Sequence, residues 1–493
     1  GRPMWWQNQR NAWHGVEFPY HSDLDIGEYY KQYAETLLAV DDSVGRLLDE
    51  LEKRGQLDST LVVFMGDNGM ALPHGKGSLY DPGIAVPLVV RWPGQVKPGG
   101  VTKHVIGLAQ ALERRGHFVR VLAPCSAPPA SLAAIGLDGT LQSVSSHVLS
   151  WPYAGAVSHI SVDPRIAGRI RSLLAADAFD IMHVHEPLAP GVSWAALAAA
   201  HCYPGTRVVG TFHAYREGPN RLYRCVRPLW RAAMRLLDGH VAVSTATAAF
   251  WNQFVNASFR LIPNGIDAQL LRTVAPERDR LGAHVLFVGR LEPRKGLDVL
   301  LRAWRQVERQ HADARLTIAG AYTRQDEATY RRQAAELALR RIRFVGPQSE
   351  ASLAACYRQA DIVCAPARGF ESFGLVILEA MAAGVPVVAS DIAGYRTLVT
   401  PDRDGLLVPA GDDARLATAL TALLRDPERR RCLGEQGLLT ARRYTWDHVV
   451  PRLLAYYDEI NHPSEEKSEE KSEEKPEEKS EGKSEGKSEG KKP

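Results

Sequence analysis

No apolar run in the chain approaches the roughly 20 residues that a membrane-spanning helix needs; stretches such as VPLVV and AALAAA stop far short. The N-terminal GRPMWWQNQR has no apolar leader either. Cysteine is scarce. Six residues, at 125, 202, 225, 356, 364 and 432, are spread along 493 positions with no CxxC pair, which excludes a disulfide scaffold and fits a reducing compartment. A strong charge of one sign is also missing. The formal net charge is +3, too mild for a nucleic-acid-binding protein. These absences point to a cytoplasmic protein without nucleic-acid partners. The length suffices for two or three domains, each with its own core.

What is present falls into blocks. Residues 1–35 are aromatic and polar without a sustained period. YYKQYAETLLAVDDSVGRLLDELEKRG then reads as an amphipathic helix, and TLVVFMGDN as a strand running into a loop. Asp67, Asn68, His74 and Lys76 follow closely. From about Trp5 to Gly99 this stretch resembles a C-terminal fragment of the sulfatase family, through VDDSVGRLLDEL, DSTLVVFMGDNG, HGKGSLYD and VPLVVRWPG. The resemblance implies calcium ligation at Asp67 and Asn68, with His74 and Lys76 near the sulfate. The family's nucleophilic-cysteine motif is absent, since no cysteine precedes Cys125, and Ala85 stands where an arginine is usual. Hydrolysis of sulfate esters therefore has no mechanism here.

From residue 84 onward, strand and helix patterns alternate. IAVPLVVRW, then VTKHVIGLAQALERRG after a Gly99-Gly100 loop, then HFVRVLAP, read as one βαβ unit. Glycine at the mouth of that helix lets a ligand approach free backbone amides. Further strands end in FDIMHVHEP and TRVVGTFHAY. The spacing of His183, His185, His213 and Glu186 makes a weak case for a metal, because His183 and His185 point to one side of a strand while Glu186 points to the other. His213, at a strand's carboxyl end, is the better chemical candidate, able to orient a hydroxyl or carry a proton. A second series begins with AHVLFVGR, passes Arg290 and Lys295, and reaches APARGFESFGLVILEAMAAGVPVVAS. There Glu371 and Glu379 stand eight residues apart, a spacing that lets one helix carry both on nearly one face. Two neighbouring cations call for an anion, and a nucleotide diphosphate suits them.

PGGVTKHV, HVHEPLAP, GTFHAY, IPNGID, VGRLEPRKG and GFESFGLVILEAMAAGVPVVASD together resemble retaining glycosyltransferase family 4, with the two-domain GT-B architecture. The match covers residues 84–460 and is nearest the phosphatidylinositol mannosyltransferase group. It implies an α/β fold of two Rossmann-like domains facing a cleft. The resulting division is 1–83 sulfatase-like, 84–275 acceptor-side, 276–440 nucleotide-sugar-binding, 441–462 a closing helix and 463–493 a tail. By resemblance, Arg290 and Lys295 hold the donor diphosphate, and Glu371 faces the donor sugar. Phe373, Gly374 and Leu375 bring backbone close to the sugar or phosphates. Glu379 contacts the ribose, His213 lies near the sugar's 6-hydroxyl, and Gly100 lies beside the phosphates. No metal or other cofactor is implied for transfer; the donor is expected to be GDP-mannose, with another nucleotide sugar as the alternative.

The expected acceptor is a phosphatidylinositol-type lipid or another glycolipid, met at an anionic membrane face. The helix RLYRCVRPLWRAAMRLL mixes arginines with apolar residues, as an interfacial segment does. His159 and FHAYREG depart from the lipid-using relatives' pattern. The competing reading is an impaired GT-B protein that binds a nucleotide sugar or glycolipid without turnover. From Ser464 to Pro493 the chain repeats Ser, Glu, Lys and Gly, with eleven Glu and eight Lys, so this tail carries −3 and the body +6. Without apolar residues it is expected to be disordered.

Overall fold

In the computed structural model the described residues are 46, 50, 62–65, 88–91, 100–124, 140–145, 149–153, 156–161, 163–218, 221–273 and 282–462. Asp67, Asn68, His74, Lys76, Ala85, Gly99 and the 463–493 tail lie outside them. The chain forms two compact units, residues 1–97 and 98–493.

In the first unit, β1 (Val62–Met65) pairs antiparallel with β2 (Leu88–Arg91), Val62 opposite Arg91. This differs from the expectation that IAVPLVVRW opens a βαβ unit. The β1 ladder takes up main-chain hydrogen bonds of β2, so this strand is used within the first unit.

The second unit has two halves. The first runs α1 (Gly100–Glu113), β3 (Val121–Pro124), β4 (Leu141–Ser145), β5 (Leu149–Tyr153), β6 (Ala156–Ile160), α2 (Ile166–Ala176), β7 (Ile181–His185), α3 (Val192–Ala200), β8 (Arg207–Phe212), α4 (Arg221–Met234), β9 (Gly239–Ala242), α5 (Thr245–Trp251), β10 (Arg260–Leu261) and α6 (Ala268–Thr273). Strands β10-β9-β8-β7 form a parallel sheet in that order, β3 and β4 pair parallel, and β5-β6 is an antiparallel hairpin. Among the described residues β3 and β7 share no ladder. Their flanking rings still meet, with Phe118 stacked on Phe179 at 5.8 Å. Around Trp251 the helices α4 and α5 build an aromatic core with Tyr223, Trp230, Phe250 and Phe254.

The second half runs β11 (His284–Val288), a 3₁₀ turn Pro293–Lys295, α7 (Leu297–Gln310), β12 (Arg315–Ala319), α8 (Arg324–Glu336), β13 (Ile342–Gly346), α9 (Glu350–Gln359), β14 (Ile362–Ala365), α10 (Leu375–Ala382), β15 (Val387–Ser390), α11 (Ala393–Arg396), β16 (Leu406–Val408), α12 (Asp413–Arg425), α13 (Pro427–Arg442) and α14 (Trp446–Asn461). Its six strands are all parallel, in the order β13-β12-β11-β14-β15-β16. Helices cover both faces, so β14 and β15 are buried throughout and read as continuous apolar runs. The order reverses between β11 and β14, and a crevice opens beyond the carboxyl ends of those two strands.

Helix α14 returns to the first half. Val449, Val450, Leu453 and Tyr457 pack with Leu108, Val209, Val241 and Ile262. The Trp446 ring lies flat against two glycines: a Cβ at Gly107 would stand 2.6 Å from it and one at Gly265 2.3 Å. The loop IPNGID thus needs glycine for packing against Trp446. Gly265→Ala is expected to destabilise the second unit by about 1–3 kcal/mol through overpacking, read as a lower urea midpoint with unchanged slope.

Candidate active site

The residues at the β11–β14 crevice come from the loops that follow those strands. After β11, Arg290 pairs with Glu292 at 2.8 Å, and the 3₁₀ turn then presents Arg294 and Lys295. Gly296 ends that turn at φ 72°, where a Cβ would strike the Pro366 carbonyl oxygen at 1.9 Å. This close approach holds the turn against the loop after β14. That loop bends through Gly369 (φ 152°) and Phe370 (φ 60°), a left-handed conformation uncommon for a side-chain-bearing residue.

The bend delivers Glu371. Its Oε1 accepts from Lys295 Nζ at 2.7 Å and from Arg294 Nη1 at 2.5 Å. Arg294 also donates to Glu292 Oε2 at 2.7 Å, which links Arg290, Glu292, Arg294, Glu371 and Lys295 in one network. The side chains of Glu371, Arg294 and Lys295 are 12%, 16% and 17% exposed, dry enough for charge to count yet open to a ligand.

Glu371 does not open a helix. Helix α10 starts at Leu375, and Gly374, its N-cap, sits at φ 98°. The left-handed Gly374 lies between the two glutamates and breaks any continuous helix there, so Glu371 and Glu379 reach the cleft from different elements. Phe373 is buried against Tyr444, leaving only its backbone near a ligand. Gly374 and Leu375 form the amide end of α10, where an anion is favoured. Gly100 faces this end: a Cβ there would meet Leu375 Cδ1 at 3.4 Å.

Glu379 Oε1 accepts from Lys103 Nζ of α1 at 3.0 Å, and Oε2 accepts from the Tyr357 hydroxyl at 2.7 Å. The Glu379 carboxylate holds the Lys103 ammonium pKa above its ordinary value. Burial first, then the same carboxylate, pushes the Tyr357 phenol far up, so it remains a donor. A second bond across the cleft runs from the Ser244 hydroxyl, beyond β9, to the Ser372 carbonyl at 2.6 Å. The carboxyl ends of both sheets therefore face one cleft.

On the first-half wall, His213 follows β8 and is buried. Its Nε2 lies 3.0 Å from His185 Nδ1, and the His104 ring stands 5.0 Å from it centroid to centroid. His183 bonds the Thr211 and Tyr457 hydroxyls, each at 2.6 Å. Burial leads in lowering the pKa of His104, His183, His185 and His213, so all four are neutral near pH 7. Glu186, at φ 55°, turns its carboxylate onto the backbone N–H groups of His213 and Ala214; burial raises its pKa to about 7.

Arg290, Lys295, Glu371 and the α10 end thus gather on one wall, Glu379 lies beside them, and His213 stands on the other. Sequence reasoning missed Glu292, Arg294, Lys103, Tyr357 and His104 as members of these networks. Arg294 alone had a local signal, its place beside Lys295; the others meet the site only through the fold. Gly394 supports the Glu371 loop from beneath, and a Cβ there would lie 1.9 Å from the Glu371 carbonyl oxygen. Gly394→Ala is expected to displace Glu371 and cut turnover about 100-fold while circular dichroism stays native.

The family model described as Glycosyltransferase Family 4 matches residues 98–270, and that described as Glycosyl transferases group 1 matches residues 278–439. The Sulfatase family model matches residues 3–114. A phosphatidyl-myo-inositol mannosyltransferase of Mycobacterium leprae is 39% identical over 369 residues, 74% of this chain and 94% of that protein. Its Mycolicibacterium smegmatis counterpart is 35% identical, over 74% and 91%. Among solved structures, a glycosyltransferase from Rickettsia africae aligns with TM-score 0.61 and 18% identity, covering 75% of this chain and 97% of that one. Anabaena HepE in complex with UDP aligns at TM-score 0.59 and 19% identity, over 73% and 96%. These two share the fold. With a parallel crevice site of this composition and relatives matched over nearly their whole length, the chain belongs to the GT-B glycosyltransferases of family 4, joined to a sulfatase-like N-terminal segment.

Proposed function

We propose that residues 98–462 transfer mannose from GDP-mannose, with retention, to a hydroxyl of a phosphatidylinositol-type lipid. The observation that carries this reading is the Arg294–Glu371–Lys295 cluster at the point where the parallel sheet reverses. A nucleoside diphosphate leaving group gains negative charge as the bond to sugar C1 breaks. Arg290 and Lys295, with the amide end of α10, offer fixed positive charge to that group. Glu371 orders the two cations nearest it and is placed to accept from sugar hydroxyls. Glu379 accepts from the ribose hydroxyls once Lys103 yields, with Tyr357 keeping its carboxylate in place. His213, neutral and buried, orients a hydroxyl from the facing wall. Attack occurs on the face the leaving group departs from, and the departing phosphate takes the acceptor's proton. Closure of the halves excludes water and limits hydrolysis of the donor.

The donor and lipid are chosen because the mycobacterial relatives are named for mannose transfer to phosphatidyl-myo-inositol. Helix α4 supports a membrane-facing role at the cytoplasmic leaflet. Tyr223, Trp230 and Met234 are buried, while Arg224, Arg231 and Leu229 are exposed, as are Arg235 and Leu236 just past the helix end. Among the described residues no helix is long and apolar enough to cross a membrane. A second reading, a binding subunit without turnover, is favoured by one observation: among the described residues the first-half strands divide into separate ladders, with none shared by β3 and β7.

The test is a donor screen with phosphatidylinositol vesicles and mass detection of products. Mannosylated lipid from GDP-mannose is expected, falling about 100- to 1,000-fold in Lys295→Ala and Glu371→Ala. GDP-mannose binding with no product in any donor–acceptor pair would favour the binding subunit instead. Replacing Arg224, Arg231 and Arg235 together by Glu is expected to abolish cosedimentation with anionic vesicles and leave neutral vesicles unchanged, since each basic residue contributes about 1 kcal/mol near an anionic surface.

A further inference from the structure

His104, His185 and His213 form a cluster of which the transfer reaction uses only His213. His104 comes from the first turns of α1, His185 from the end of β7 and His213 from just beyond β8. One nitrogen of each ring lies within 4.8 Å of one nitrogen of both others. Two face each other directly, His185 Nδ1 and His213 Nε2, at 3.0 Å. The third brings an unsatisfied atom: His104 is 6% exposed, and its Nδ1 has no hydrogen-bond partner. A buried imidazole nitrogen without a partner is costly, and its lone pair is available to a cation.

We propose that His104, His185 and His213 form a binding site for a first-row transition-metal dication, with Zn²⁺ the best fit. Three imidazoles with one open position is a recurrent arrangement for this ion, at nitrogen–metal distances of about 2.0–2.1 Å. Tetrahedral geometry at that length sets the ligand nitrogens about 3.3 Å apart. The His185–His213 pair is already close to this spacing, and a His104 nitrogen lies within 4.8 Å of both. Neighbouring groups suit an outer shell. The His183 ring stacks on His185 at 4.4 Å and is itself anchored by Tyr457, and the Trp446 ring stands 5.4 Å from His104. The Glu186 carboxylate is held on the His213 backbone N–H, and its Oε2 is buried without a partner. His185 is half-buried, so the cluster is not sealed from solvent.

Sequence spacing had suggested His183, His185, His213 and Glu186 as a weak ligand set. The fold replaces two of these with a histidine about eighty residues upstream in sequence. Loading the site would take the His213 lone pair away from any sugar hydroxyl, so Zn²⁺ is expected to inhibit transfer. That consequence rests on the proposed transferase reading; the binding itself does not.

The experiment is equilibrium dialysis and calorimetry of the full chain with Zn²⁺ alone, after alkylation of the exposed Cys202, Cys225 and Cys432 thiols. One ion per chain is expected, with affinity falling at least tenfold in H104Q and in H185Q and unchanged in H448Q, whose imidazole bonds Thr445 elsewhere. Should either cluster variant fail to fold, Co²⁺ added to the unsubstituted chain decides the matter, because a four-coordinate site gives intense visible bands. Absence of stoichiometric binding, affinity in H104Q and H185Q unchanged from that of the unsubstituted chain, or a six-coordinate Co²⁺ spectrum would overturn the proposal.

Discussion

The site depends on one ionic contact, the Glu371 carboxylate held between Lys295 and Arg294. These groups come from loops after two different strands, and they meet only because β11 and β14 lie side by side in the parallel sheet. An isolated surface pair of this kind is worth little, up to about 1 kcal/mol. Here the groups are mostly covered and networked, so removing one partner leaves an uncompensated charge in a dry place. Such a network stores positive character without letting the cations drift, which is what a leaving diphosphate requires.

Glycines make that contact possible. Gly296 and Gly394 sit where a methyl group would overlap a backbone carbonyl, one beneath the 3₁₀ turn and the other beneath the Glu371 loop. With Gly369, Phe370 and Gly374 in the left-handed region, the chain between β14 and α10 is tightly curled. Its local conformational cost is offset by the core around Phe373, Ile377 and Tyr395, which anchors both ends of the loop. On the other side of the cleft, Lys103 and Ser244 reach across to Glu379 and Ser372. The halves are thus linked by polar contacts that a ligand can replace, while Trp446 and α14 supply the permanent apolar link.

Much of this was legible in the residues. The six strands of the second half are short apolar runs bounded by turn signals, and the loops that follow them carry Arg290, Lys295 and Glu371. The resemblance to family 4 assigned those residues before their geometry was known. What the chain could not display locally was tertiary pairing. Lys103 lies 276 positions from Glu379, and His104 belongs to a helix whose apolar spacing marks it as core packing. The placement of Glu371 on a helix failed because spacing alone ignores the positive φ that Gly374 adopts between the two glutamates. The strand Leu88–Arg91 has the same apolar pattern whether it joins a parallel sheet or a hairpin-like pair, and its antiparallel partner decided the matter.

The account stands on the β11–β14 crevice as the place where a donor diphosphate binds. A crystal structure with GDP tests this most directly. The account predicts the diphosphate within hydrogen-bonding reach of Arg290, Lys295 and the Gly374–Leu375 amides, with the ribose on Glu379 in place of Lys103. GDP bound elsewhere, or bound with the Lys103–Glu379 pair intact and Lys295 still confined to Glu371, would contradict it.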